Sequence, residues 1–258
     1  MENKHNCRYI TASQSILGAR ESQQDSLLIY EHDDGLLAAV CDGMGGIKGG
    51  ETASKTAVST LKTLYQNRNI EQPPAEFLRS AADIMDETVY NLMDENGDRL
   101  RAGTTVAAVI IEGSRLTWLS VGDSRLYIAR GGEMIRATRD HNYFMQINQL
   151  RADGKLTEAQ YSIESARGES LISYIGAGGL EIADVNNTPF DINPGDRILL
   201  TSDGLYKALD DAKIQSVLSE YGANGAVLAL TSLAKRNCPE SLDNTTCIVI
   251  HYINGDNE

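Results

Sequence analysis

Five aspartates in this chain stand where an apolar or turn-forming stretch meets a small residue: Asp25, Asp42, Asp123, Asp203 and Asp243. The plainest case is Asp42, where the run Leu36-Leu37-Ala38-Ala39-Val40-Cys41 stops at Asp42-Gly43-Met44-Gly45-Gly46. A buried strand that ends this way delivers one acid at a fixed point. Glycines without a Cβ then let the backbone bend and its carbonyls approach a bound ion closely. One Asp-Gly step alone is ordinary turn chemistry, but five such placements are not explained by five unrelated turns. Carboxylates that converge repel one another and cost desolvation energy unless a cation compensates. All-oxygen ligation, with no paired His or Cys, selects hard ions, Mg²⁺ or Mn²⁺, over zinc. Sharing one Asp between two such ions ~4 Å apart activates water against phosphoryl centres. Arg20, five residues before Asp25, adds a planar fork able to grip two phosphate oxygens. By itself, such an arginine is more often a surface ion-pair residue.

The elements that must position these acids read as strands in blocks and helices in pairs. Cys7 to Ser13 and Ser26 to Tyr30 are strand-like, and His32-Asp33-Asp34-Gly35 signals a hairpin into the strand that ends at Asp42. Gly50 to Tyr65 and a segment opened by Pro73-Pro74 carry apolar residues three and four apart, which predicts two amphipathic helices covering one face of a sheet. Strands are predicted at Thr104 to Ile111, Leu116 to Val121, Arg125 to Ala129 and Met134 to Ala137. Their three- and four-residue connections predict antiparallel hairpins throughout. The polar, glycine-punctuated stretch from Asp140 to Gly179, with a helix near Tyr143 to Ala152, reads as a mobile insertion over a site. Strands follow at Leu180 to Ala183, Asp196 to Thr201 and Cys247 to Ile253, and helices at Asp210 to Tyr221 and Ala226 to Arg236. This block pattern predicts an α+β fold of stacked sheets with helices on each side.

Composition narrows the function. The chain has 258 residues, 41% of them hydrophobic, enough for a sizeable core. We read it as one domain spanning 1–258. Its net charge of −13, from 36 acidic and 23 basic residues, argues against the phosphate-backbone contacts of nucleic-acid binding and against docking on anionic membrane. Cys7, Cys41, Cys238 and Cys247 include no C-x-x-C pair, so reduced thiols are expected. With no apolar leader and no run long enough to span a membrane, a soluble cytoplasmic protein is expected.

Taken in order, these residues resemble the metal-dependent protein serine/threonine phosphatases of the PPM (PP2C) family, over nearly the whole chain. The segments that carry the resemblance are Arg20-Glu21-Ser22-Gln23-Gln24-Asp25, Asp42-Gly43-Met44-Gly45-Gly46 with Gly50 and Ala53-Ser54, and Gly103-Thr104-Thr105. They continue with Val121-Gly122-Asp123-Ser124-Arg125, Thr138-Arg139-Asp140-His141, Ser202-Asp203-Gly204-Leu205 and Asp243-Asn244-Thr245-Thr246. Each alone is weak evidence; seven in order are strong. The resemblance implies a central antiparallel β-sandwich flanked by pairs of helices, a four-layer αββα fold. It implies that Asp42 bridges two Mn²⁺ or Mg²⁺ ions and that the Gly43 carbonyl binds one of them. Asp25 would reach one ion through water, while Asp203 and Asp243 hold the other. Asp123 would join Asp203 at a weaker third ion, Arg20 would bind the substrate phosphate, and 140–179 would contain a variable flap. The implied reaction is direct attack of a metal-bridging water on phosphoserine or phosphothreonine in protein substrates, opposing a Ser/Thr kinase that acts on the same targets.

The chain departs from the family pattern at Gln23, where Asn is usual, and at Ile47, where a histidine proposed to protonate the leaving alkoxide is usual. Isoleucine cannot transfer a proton. Either His141 or a metal-bound water takes that role, or catalysis on alkyl esters is slower. A nucleotide cradle is disfavoured because Gly43 to Ser54 contains no G-x-x-x-x-G-K-[ST]. A phosphatase-like binding or scaffold protein is the remaining alternative.

Overall fold

The computed structural model describes residues 8–32 and 35–253, except the side chains of Arg8, Ile47 and Lys48. Residues 1–6, Cys7, Asp33 and Asp34, on which the expected leaderless start, strand start and hairpin tip fall, lie outside that description.

The described strands form two antiparallel sheets. One has the order β1 (Arg8–Ile16), β12 (Thr245–Ile253), β11 (Arg197–Thr201), β7 (Arg125–Arg130), β8 (Glu133–Arg136). The other runs β10 (Phe190–Asp191), β6 (Arg115–Val121), β5 (Val106–Glu112), β3 (Gly35–Met44), β2 (Asp25–His32). In this second sheet β4 (Gly103–Thr104) lies beside β3 and β9 (Asp184–Val185) beside β6.

The alternation of side chains along each strand builds the layers. In β3, Leu36, Ala38 and Val40 meet Leu126, Ile128, Leu200 and Ile248 of the other sheet. Leu37, Ala39 and Cys41 turn the other way, onto Leu61, Leu78 and Met85 of helices α1 (Gly46–Gln66) and α2 (Pro74–Tyr90). Leu199 and Val249 likewise pack outward under α6 (Asp211–Glu220) and α7 (Ala223–Asn237), against Ile214, Leu218 and Leu230. Burial on both faces explains why the sequence from Leu36 to Cys41 is continuously apolar. Each fully buried leucine here contributes about 1.5–3 kcal/mol. The result is the expected four-layer αββα arrangement.

Two expectations are corrected. The connection Gly122-Asp123-Ser124 is no hairpin: β6 belongs to one sheet and β7 to the other, so the chain crosses the sandwich there. Gly122 makes the crossing possible with a φ of +93°, pressed against Thr105 where a Cβ would lie 2.6 Å from a methyl group. The stretch Leu180 to Ala183 is not a strand; the short β9 begins at Asp184, because Ser173 takes up the Ile182 amide and carbonyl instead.

The segment 140–179 carries α3 (Tyr143–Ala152), where a helix was expected, and α4 (Glu158–Glu164), which starts on a capping box of Thr157 and Gln160. Its C-terminal end is tied to the body by one buried acid. Asp86 on α2 accepts the backbone N–H groups of Gly176, Ala177, Gly178 and Gly179, at 2.7, 2.8, 3.4 and 2.7 Å. Removing that carboxylate leaves these amides without their acceptor. Asp86→Ala is therefore expected to lower stability by about 2–3 kcal/mol in urea unfolding. A change below about 0.5 kcal/mol, the size of an ordinary surface substitution, would show that the loop holds itself.

Candidate metal centre

The strands deliver the acids to one rim of the sandwich. Asp25 opens β2 and lies directly opposite Asp42 near the end of β3, on the antiparallel register that pairs Leu27 with Val40. By alternation both share the face that looks into the sandwich. From the facing sheet, Asp203 follows the end of β11 and opens the short helix α5 (Asp203–Tyr206), while Asp243 precedes β12. Asp123 sits where the chain crosses between the sheets.

A cleft of about 570 Å³ opens here, lined by Arg20, Asp42, Gly43, Asp203 and Asp243 among others. Asp25 and Asp123 lie beside it, 6% and 8% exposed. All seven residues singled out from the sequence are thus brought to one region. Gly43 is required for steric reasons, since a Cβ there would fall 2.1 Å from the Gly50 carbonyl oxygen and 2.6 Å from that of Gln24.

Neighbouring polar groups hold the acids in place. The Ser202 hydroxyl donates to Asp25 Oδ2 at 2.7 Å, across the gap between the sheets, and accepts the Thr246 amide at 3.0 Å. Thr104 Oγ1 and the Thr105 amide both donate to the Asp42 carbonyl oxygen, at 2.8 and 2.9 Å. Asn244 accepts the Gln24 amide and donates to the Leu17 carbonyl. Gln23 accepts the Asp25 amide at 3.0 Å and donates to Ser15 and the Ile16 carbonyl. The longer side chain at this position thus ties down the turn before Asp25.

The electrostatics show a deficit of positive charge. Burial, opposed by the Ser202 and Thr246 hydrogen bonds and reinforced by Asp203 and Asp243, pushes the Asp25 carboxyl up to about 7. Burial and the charges of Asp25, Asp203 and Asp123 hold Asp42 well above the ordinary carboxylate range. Burial and Asp203 raise Asp123 to about 6, against the pull of Lys207. Two carboxylate oxygens of the cluster, Asp25 Oδ1 and Asp203 Oδ1, are buried with no hydrogen-bond partner. A buried acceptor costs free energy until something satisfies it. An all-oxygen donor set with unspent lone pairs fits a hard divalent cation.

Among the described residues, no three acidic, imidazole or thiolate groups are gathered tightly enough to chelate one ion as they stand. Two of the acids pair with side-chain cations instead. Arg20 meets Asp243 Oδ2 at 2.5 Å, and Lys207 meets Asp203 Oδ2 at 2.8 Å and Glu169 at 2.9 Å. Lys207 is not among the residues singled out from the sequence; its one signal there is its place four residues after Asp203. In the sequence Ser202 stands out only as part of the segment Ser202-Asp203-Gly204-Leu205. Its role became visible with the sheet pairing.

His141 does not face the cleft. It is fully buried, its Nδ1 accepts the Gly122 amide at 3.2 Å, and its Nε2 lies 3.0 Å from Asp184. The first bond leaves the proton on Nε2 to be donated to Asp184, so both ring nitrogens are committed to structure. Among the described residues, no histidine lines the cleft.

Comparison with known proteins agrees with this geometry. The protein phosphatase 2C family profile matches residues 14–226. The serine/threonine protein phosphatase PstP of Mycobacterium tuberculosis is 29% identical over 223 residues, 85% of this chain; the chain spans only 41% of that relative's length. A solved serine/threonine phosphatase of S. agalactiae superposes with a TM-score of 0.81 at 26% identity, covering 95% of this chain and 99% of the other. The solved catalytic domain of PstP in complex with two manganese ions gives a TM-score of 0.75 at 27% identity, covering 95% and 98%. With the family profile matched over most of its length and the acids gathered at one rim, the chain belongs to the protein phosphatase 2C family.

Proposed function

We propose that this chain is a Mn²⁺- or Mg²⁺-dependent protein phosphatase that hydrolyses phosphoserine and phosphothreonine esters. The observation that carries the reading is the carboxylate cluster itself, whose raised proton affinities and unpartnered oxygens call for divalent charge. A binding module without catalysis gains nothing from clustered, uncompensated acids. Asp25, Asp42, the Gly43 carbonyl, Asp203 and Asp243 would hold two ions, and Asp123 with Asp203 a weaker third. When bound, such ions lower the pKa of water and neutralise charge growing on phosphoryl oxygens.

The chain's own residues do the rest. Arg20 is exposed and paired with Asp243, a contact of the kind worth no more than about 1 kcal/mol. A substrate phosphate, offering two oxygens to one guanidinium, can take Arg20 from that partner. Burial opposes the charge on Lys207, but Asp203 and hydrogen bonds to Asp203 and Glu169 outweigh it and push its pKa up. Lys207 therefore stays an ammonium and is a poor proton donor. With Ile47 in place of an imidazole and His141 committed elsewhere, no imidazole among the described residues lines the cleft to serve as general acid. The 140–179 segment serves as the flap, phosphoproteins are the substrates, and a Ser/Thr kinase acts on the same targets. No helix among the described residues is long and apolar enough to cross a membrane. Together with the free thiols of Cys41, Cys238 and Cys247, this supports work in the cytoplasm.

Three outcomes are expected. First, hydrolysis of phosphopeptides needs added Mn²⁺ or Mg²⁺, and Asp42→Asn lowers kcat/KM by on the order of 10³-fold or more; a near-normal Asp42→Asn enzyme contradicts the reading.

Second, the metal-free protein should lose stability relative to Asp25→Asn as pH rises from 5 to 8. A carboxyl raised from the ordinary 3.8 to about 7 stabilises the fold when protonated, and that contribution is lost as pH climbs through about 7. The difference should reach about 2 kcal/mol by urea unfolding and shrink when Mn²⁺ is added. A pH-independent difference would mean that Asp25 is ionised at no cost.

Third, kcat/KM for aryl phosphates should fall steeply as the leaving-group pKa rises. Ile47→His should flatten that dependence, with a gain of up to about 10²-fold on alkyl esters. Equally shallow slopes for both proteins would place the proton source elsewhere.

A further inference from the structure

A second cleft, of about 470 Å³, adjoins the first and shares Met44 and Gly45 with it. One wall is the stretch from Arg99 into β4, and the other is 171–177 of the flap segment. The walls are stitched together where the Thr104 and Ile175 amides donate to each other's carbonyls, at 2.9 and 2.8 Å. Asp86 fastens the glycine loop at the end of the second wall. The Tyr174 ring lies so close over Gly103 that a Cβ there would come within 2.5 Å of it. This is a built groove continuous with the carboxylate cleft.

Its charge is unusual for this chain. Net charge is −13, and Arg20, Arg125, Arg130 and Arg139 each meet an acid. Arg99 and Arg101 both line the groove and are exposed, and among the described residues neither forms an ion pair. Arg99 is instead held over the Tyr90 ring, 4.1 Å from its centroid, a contact that orients the guanidinium without neutralising it. Two uncompensated guanidinium groups flank half-buried Leu171 and Tyr174, which supply apolar surface.

We propose that this groove receives the part of a phosphoprotein substrate that flanks the phosphorylated residue, and that Arg99 and Arg101 select an acidic residue there. The inference rests on the phosphatase reading above. An extended segment advances about 3.3 Å per residue, so a phosphate seated beside Arg20 and Asp42 places residues a few positions away across Met44 and Gly45 into the groove. Opposite charge at that point favours encounter and rejects basic sequences. A nitrophenyl phosphate is too small to reach it.

The test is kcat/KM for three phosphothreonine peptides that differ only in carrying Glu, Gln or Lys at the flanking positions, with nitrophenyl phosphate as reference. Wild type should rank Glu over Gln over Lys, with about a tenfold span, as expected for two solvent-exposed charge pairs. The double variant Arg99→Glu/Arg101→Glu should reverse the ranking and leave nitrophenyl phosphate turnover unchanged. That reversal also shows that the variant folds. A flat ranking in wild type, or an equal loss on all three peptides in the variant, would overturn the groove assignment while leaving the phosphatase reading intact. Failure of wild type to hydrolyse nitrophenyl phosphate with Mn²⁺ would instead overturn that reading and the groove assignment with it.

Discussion

Mutual repulsion among five carboxylates is the constraint on which this structure depends. Asp25, Asp42, Asp123, Asp203 and Asp243 occupy one rim of the sandwich, and among the described residues the cations that form ion pairs with them are Arg20 and Lys207. Burying like charges together costs free energy that folding must recover elsewhere. Burial first, and the charges of the neighbouring acids after it, push up the proton affinities of Asp25, Asp42 and Asp123. Such a cluster persists because the scaffold around it is stiff. Asp25 and Asp42 are fixed by strand register, and Asp203 and Asp243 lie at the ends of adjacent strands in the facing sheet.

The four-layer architecture follows from the same demand. No single sheet brings all five acids to one place, since Asp25 and Asp42 come from one sheet and Asp203 and Asp243 from the other. The sandwich must be closed tightly at the rim, and the cross-sheet bond from Ser202 to Asp25 does this directly. Helices on both outer faces let β3, β11 and β12 be apolar on both sides, so these strands form a rigid floor under a polar site. Rigidity of this kind holds ligands in place before an ion arrives.

Much of this was legible in the sequence because strand ends announce themselves. The apolar run that stops at Asp42, and the acid-small residue steps at Asp123, Asp203 and Asp243, locate the site without coordinates. The pairing of the two N-terminal helices against one face was readable from their periodicity. What was not readable depends on contacts between distant segments. Gly122-Asp123-Ser124 has the length of a hairpin, and its crossing to the other sheet shows only in contacts with distant residues, where Gly122 packs against Thr105 and its amide and carbonyl bond to His141. The two-residue strands β9 and β10 are too short to carry a pattern. Asp86 looks like any helix-surface acid until four amides some ninety residues later converge on it. Lys207 gains meaning only once Glu169 and Asp203 are seen on either side of it.

The carboxylate cluster is proposed as the binding site of paired divalent ions, which Asp25, Asp42, Asp203 and Asp243 would hold. Anomalous diffraction at the manganese edge, from crystals grown with MnCl₂, tests it most directly. Two strong peaks are expected within reach of Asp25, Asp42, Asp203 and Asp243, with a weaker one beside Asp123. Crystals that show no manganese at this rim, or manganese held elsewhere while the acids keep their pairs with Arg20 and Lys207, would contradict it.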